Sequence, residues 1–119
     1  MVNDKWKIEF YKTANDKSSV DEFVDKLDVK VQNKIVEVLG LLTEFGIKLG
    51  MPHSKKVTGT PLWELRILGS DNIRIFYITQ TGKTFIILHA FQKKKQKTDK
   101  KEIKIALDRL LDLKSRNQN

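Results

Sequence analysis

Trp6, Ile8 and Phe10 alternate with Lys5, Lys7, Glu9 and Tyr11, the two-residue period of a half-buried strand, which predicts a first strand from about Lys5 to Tyr11. The polar stretch Thr13 to Ser18 reads as a loop. Ser19 and Glu22 have capping-box spacing ahead of Val20, Phe23, Val24 and Leu27, so a short amphipathic helix is expected next. Asp28 can cap a second helix, with apolar positions Val31, Ile35, Val38, Leu39, Leu42 and Phe45 recurring at three- and four-residue steps until Gly46 stops it. Two helices in tandem imply a helical hairpin.

Between Gly46 and Pro61 three glycines and two prolines interrupt any period, and a mostly irregular connection is expected. Leu62 to Leu68, Asn72 to Gln80 and Lys83 to Gln92 are apolar, β-branched and aromatic runs separated by Gly69-Ser70-Asp71 and Thr81-Gly82, the spacing of an antiparallel meander. Thr98 or Asp99 can cap a last helix, Asp99 and Glu102 fit a capping pair, and Ile103, Leu107, Leu110 and Leu111 form its apolar stripe. The order β-α-α-β-β-β-α describes an α+β domain: an antiparallel sheet with an N-terminal helical hairpin and a C-terminal helix. One domain over residues 1–114 with a frayed polar tail, 115–119, fits this length. One sheet face is expected to lie against helices, which directs the search for function to the other face and the edges.

Charge sharpens that search. From Lys55 to Lys104 there are 12 basic and 4 acidic side chains, and the rest of the chain has 11 of each, so the whole formal excess of +8 lies in one segment. Within it Phe91-Gln92-Lys93-Lys94-Lys95-Gln96-Lys97 places four lysines directly after a buried strand, a surface suited to a polyanion such as nucleic acid. Lys55 and Lys56 add to it from the irregular connection. With no cysteine and two histidines, neither a disulfide framework nor a metal site is expected, and no cofactor is implied. The charged N-terminus lacks a signal-peptide core, and no apolar run approaches the roughly 20 residues of a membrane span, so a cytoplasmic protein without membrane contact is expected.

Period-two geometry selects the chemistry. If Trp63, Leu65 and Ile67 face the core, Glu64 and Arg66 share the opposite face. If Ile73, Ile75 and Tyr77 also face the helices, Arg74 joins them, and His89 follows from the last strand together with Phe85, Ile87 and Phe91; the opposite register would make Tyr77 a base-stacking residue. Glu64, Arg66, Arg74 and His89 then offer proton acceptor, proton donor and cations beside the lysines, the groups needed for attack of a 2′-hydroxyl on its neighbouring phosphate without a metal. Lys55, Lys56, Lys93, Lys95 and Lys97 would bind the RNA backbone. The plainer alternatives are a surface ion pair for Glu64 and Arg66 and a hydrogen-bonded structural role for His89.

Leu62-Trp63-Glu64-Leu65-Arg66, Ile73-Arg74-Ile75-Phe76-Tyr77 and Leu88-His89-Ala90-Phe91-Gln92-Lys93-Lys94-Lys95-Gln96-Lys97-Thr98, followed by Glu102-Ile103, together resemble the phage-derived, HigB-like branch of the RelE/HigB toxin superfamily. The resemblance covers nearly the whole chain and implies a RelE-like fold, a ribosome-dependent mRNA interferase of a type II toxin–antitoxin system, and a helix-turn-helix antitoxin, with the 70S ribosome and mRNA as further partners. It places Arg66 and Arg74 at the scissile phosphate, Lys94 or its neighbours Lys93 and Lys97 among the basic residues after the last strand, and His89 at the branch's own histidine. Asp99 stands where members usually carry proline. The alternatives are a ParE-like toxin that binds gyrase and a non-catalytic nucleic-acid-binding prophage remnant.

Overall fold

The computed structural model describes residues 5–69, 72–97 and 100–117. The expected Thr98 or Asp99 cap, Ser70 and Asp71 of the first hairpin turn, and the last two residues of the tail lie outside these. The α+β expectation holds, with eight α-helices and β-strands among the described residues: β1 Lys7–Phe10, α1 Ser19–Asp25, α2 Val29–Phe45, β2 Ser54–Lys56, β3 Trp63–Ile67, β4 Ile73–Gln80, β5 Thr84–Gln92 and α3 Lys100–Asn117. α3 therefore includes Ser115 to Asn117, the first three residues of the expected tail.

Local chemistry accounts for the helix ends. Ser18, one residue before the expected cap, accepts a hydrogen bond from the Asp21 amide at 3.2 Å and starts α1; Asp28 does the same for α2 through the Lys30 amide at 3.1 Å. Val31, Ile35, Val38 and Leu42 are the buried stripe of α2, while Phe45 at its end stays about half exposed. Along α3, Ala106 and Leu110 are buried with Ile103, Leu107 and Leu113 beside them, and Leu111 turns out to solvent. It lies one residue, about 100° of rotation, from Leu110.

The strands form one five-stranded sheet in the order β1-β5-β4-β3-β2. β2 to β5 make an antiparallel meander, and β1 lies parallel to β5 in the register Lys7↔Thr84 to Phe10↔Ile87. β2 is an added strand inside the connection that sequence reads as irregular: three residues pair with β3, and the Ser54 hydroxyl meets the Tyr77 hydroxyl at 2.5 Å beneath it.

Both faces of the sheet are covered, which corrects the one-sided arrangement. Leu65, Ile67, Ile73, Ile75, Tyr77, Phe85, Ile87 and Ala90 pack against α1 and α2, as the core stripes of β3 and β4 require. Leu62, Phe76, Ile86, Leu88 and Phe91 pack against Ala106 and Leu110 of α3. A bulge in β5 sets the second face. Phe76 pairs with His89 but Tyr77 with Ile87, leaving Leu88 unpaired, so Leu88 and His89 both turn toward α3. His89 and Phe91 thus part from Phe85 and Ile87, with which strict alternation groups them.

Gly46 ends α2 at φ 59°, and a Cβ there would lie 2.3 Å from the Trp6 indole, which stacks on Phe85 at 4.4 Å. Gly46→Ala is expected to lower stability by about 3 kcal/mol, roughly 10 °C in melting temperature, from backbone strain and displacement of Trp6. Thermal unfolding checks this; an unchanged melting temperature would mean that Trp6 moves aside freely.

Candidate functional site

Register fixes the polar residues of the α3-side face into two rows. Lys55, Glu64, Phe76 and His89 are cross-strand neighbours in one, and Arg66, Arg74 and Phe91 in the next. Strands β3 and β4 present Glu64, Arg66 and Arg74 together, as alternation predicts. Glu64 Oε1 lies 3.4 Å from Arg66 Nε and 3.7 Å from Arg74 Nε, so one carboxylate serves two guanidinium groups. Directly opposed like charges are unfavourable across a ladder unless an anion stands between them, and here Glu64, itself buried, supplies it. The cluster keeps a net positive charge.

Arg74 is the most constrained member. Its Nη1 donates to the Ile73 carbonyl at 3.1 Å, and its buried Nε has no hydrogen-bond partner among the described residues. Burial pulls its pKa down, Glu64 opposes that shift, and Arg66 adds to it. An anion reaching this guanidinium would satisfy a donor that the fold leaves open.

Lysines border the cluster on two sides. Lys55 shares the face with Glu64, whereas Lys56 follows on the other side of β2 with its ammonium over the Trp63 ring at 5.3 Å. Where β5 leaves the sheet, Lys93 to Lys97 form a wall between three concavities. One, of roughly 270 Å³, holds Glu64 and Arg66 with Lys55, Lys56, Lys93 and Lys97; a second, of roughly 340 Å³, holds Arg74 with Lys93, Lys94 and Lys95. The third and largest, of roughly 500 Å³, holds His89 with the same lysines, Phe23 and Glu102.

His89 therefore shares the sheet face with Glu64 but not its concavity, since Phe76 lies between them and two strand spacings amount to about 10 Å. Its ring stacks on Phe91 at 5.3 Å and its exposure is 9%. Nε2 meets Glu102 Oε1 at 2.9 Å, and Nδ1 meets Arg109 Nη1 at 3.3 Å. The same Nη1 donates to the Leu88 carbonyl at 2.8 Å. A guanidinium only donates, so Nδ1 accepts and the ring proton sits on Nε2, donated to Glu102. Burial holds the His89 pKa below the usual histidine value; the Glu102 hydrogen bond and charge oppose this, and Arg109 reinforces it.

Residues 22–111 match the family described as Phage derived protein Gp49-like (DUF891). The chain belongs to that family. The Gp49-like family falls within the RelE/HigB-like toxin superfamily. Among solved structures, the Gp49-like chain is similar to a chain in the crystal structure of the archaeal RelE–RelB complex from Pyrococcus horikoshii OT3, at 17% identity and a TM-score of 0.57, over 74% of this chain and 94% of that one. At that identity the likeness shows a shared fold. No curated protein matches the sequence.

Sequence reading of the Gp49-like chain passes over two residues of the His89 network. Glu102 enters there as a helix-capping side chain and as part of the Glu102-Ile103 motif, with no chemical role, and Arg109 not at all. Their signal is positional: on α3 both fall on the side of Ala106 and Leu110, where an apolar stripe holds a carboxylate and a guanidinium. Among the described residues no group of three histidine, cysteine or acidic side chains could hold a metal ion, and no helix is long and apolar enough to cross a membrane.

A pH dependence follows from His89. Its folded pKa is depressed below the unfolded value of about 6.5, so near and below that value the unfolded chain binds the proton that the folded one resists. The neutral ring's stabilising contribution is complete above about 6.5 and is lost progressively as pH falls toward the folded pKa. Denaturant unfolding of wild type and His89→Gln at a series of pH values is expected to show a slope through this window in wild type alone. Equal slopes would show that His89 carries no such linkage.

Proposed function

We propose that this chain is the toxin of a type II toxin–antitoxin pair and acts as a ribosome-dependent mRNA interferase, a metal-independent endoribonuclease on mRNA held by the 70S ribosome. The observation that carries the reading is the arginine pair: Arg66 and Arg74 face each other across β3 and β4, share the single carboxylate of Glu64, and open toward lysine-walled concavities. A phosphodiester offers two oxygens in the geometry that a guanidinium fork recognises. Cleavage by the adjacent 2′-hydroxyl builds negative charge on those oxygens, and cations fixed in advance by a sheet stabilise it without rearranging. Glu64 holds the two forks in register. Lys55, Lys93, Lys94, Lys95 and Lys97 follow the RNA backbone, with Lys94 beside Arg74 nearest the reacting phosphate and Lys56 at the rim.

The superfamily of the chain supports the toxin assignment, and the partner expected with it is a helix-turn-helix antitoxin. An acidic, partly apolar segment would suit the exposed lysines after β5. Such a toxin would work in the cytoplasm, where ribosomes are.

In a cell-free translation system the protein is expected to arrest synthesis and leave truncated mRNA with 5′-hydroxyl ends; arrest with intact mRNA would favour a gyrase-type or purely binding activity instead. Arg74→Ala should lower single-turnover cleavage about a hundredfold, equivalent to about 3 kcal/mol of transition-state stabilisation, and Arg74→Lys should recover little of it. Ribosome affinity should fall far less, because the lysines remain. Melting temperature should stay close to wild type, since the Arg74–Glu64 separation of 3.7 Å exceeds hydrogen-bonding distance. Full activity in a stable Arg74→Ala protein would remove this arginine from the site.

A further inference from the structure

The histidine that sequence singles out for proton transfer has both ring nitrogens engaged: Nδ1 accepts from Arg109, and Nε2–H donates to Glu102. Its 9% exposure leaves it little surface to offer a substrate. Glu102 differs. Its side chain is 21% exposed, it lines the roughly 500 Å³ concavity together with Lys93, Lys94 and Lys97, and its Oε1 is held by the imidazole at 2.9 Å. Lys93 also lines both concavities that hold Arg66 and Arg74, so the three open around one lysine wall.

We propose that Glu102 is the catalytic general base and that His89 is a positioning residue acting through it; this rests on the reading of the chain as an RNA-cleaving toxin. Glu64 is buried and held between two guanidinium groups, which leaves it less open to a substrate hydroxyl. The Glu102 carboxylate takes the proton of the 2′-hydroxyl, the 2′-oxygen–phosphorus bond forms, and the phosphorus–5′-oxygen bond breaks. The leaving 5′-oxygen takes a proton from water, and the Glu102 carboxyl returns its own to solvent. The products are a 2′,3′-cyclic phosphate and a 5′-hydroxyl, with no net change in protons. Glu102 faces the His89 N–H from β5, Arg109 from its own helix, and lysines of the loop after β5.

Glu102→Gln preserves length, and its amide oxygen still accepts from His89 Nε2–H, so the fold is kept while the base is lost. The expected result is a single-turnover rate about a hundredfold lower, with ribosome affinity and melting temperature unchanged. His89→Phe, which keeps the stack on Phe91 and removes the N–H, should move the acid limb of the pH–rate profile to higher pH. Nitrogen-15 NMR of the His89 ring should show the Nε2–H tautomer. A wild-type rate in E102Q, a melting temperature that falls in step with its activity, an acid limb unmoved in H89F, or an Nδ1–H tautomer would each overturn the proposal. Wild-type protein that leaves ribosome-bound mRNA intact defeats the nuclease reading and this proposal together. Cleavage by wild type and E102Q alike defeats only the role of Glu102.

Discussion

Strand β5 is the constraint from which the architecture follows. Eight of its nine residues, Thr84 to Phe91, are buried, so its apolar run must be covered on both faces. Its partners are β4 along one edge and β1 along the first half of the other. A strand in that position demands two helical layers: α1 and α2 supply one through Val20, Val31, Ile35 and Leu42, and α3 supplies the second through Ala106 and Leu110. The bulge at Leu88 comes within the same strand. By placing Leu88 and His89 successively on the α3 side, it lets one carry hydrophobic packing and the other a polar contact to that helix.

The second helical layer does not extend across the whole face. Toward β3 and β2 the apolar grid gives way to Glu64, Arg66, Arg74 and Lys55, and the charged cluster sits where helix cover ends. Its floor is nonetheless rigid, because β3 and β4, which carry Glu64, Arg66 and Arg74, also contribute Leu65, Ile67, Ile73 and Ile75 to the opposite core. Catalytic cations gain from this kind of support, since a guanidinium mounted on a packed strand loses little freedom when it meets its ligand. α3 is itself tied down at several points along its length: Glu102 and Arg109 to β5, Asp112 to the Tyr11 hydroxyl, and Arg116 to the Lys12 carbonyl at 2.5 Å.

Much of this was legible in the sequence wherever a period runs long enough to be read. α2, β3, β4 and α3 each carry several turns or repeats of their pattern, β5 is marked by its apolar run, and the alternation in β3 and β4 was enough to bring Glu64, Arg66 and Arg74 to one face. Three things were not local. β2 is only three residues and owes its existence to pairing with β3. The parallel union of β1 with β5 depends on how the intervening helices return the chain, which no segment records by itself. The bulge in β5 breaks the two-residue count within an unbroken apolar run, so nothing in Ile86-Ile87-Leu88-His89 marks where the faces exchange. The partnership of His89 with Glu102 and Arg109 was hidden for the same reason, because it follows from helix docking across that exchanged face.

The pairing of β1 with β5 joins the two ends of the fold. Lys7 lies beside Thr84, so the first strand waits for its neighbour until the residues of β5 have been made. Arg66 and Arg74 precede β5 and α3 in the chain, so they are made on strands whose second face is still bare. A nascent chain thus carries its cations before the scaffold that aims them has been made. For a protein proposed to attack translating ribosomes, the order in which this topology can close separates the act of being made from the ability to do harm.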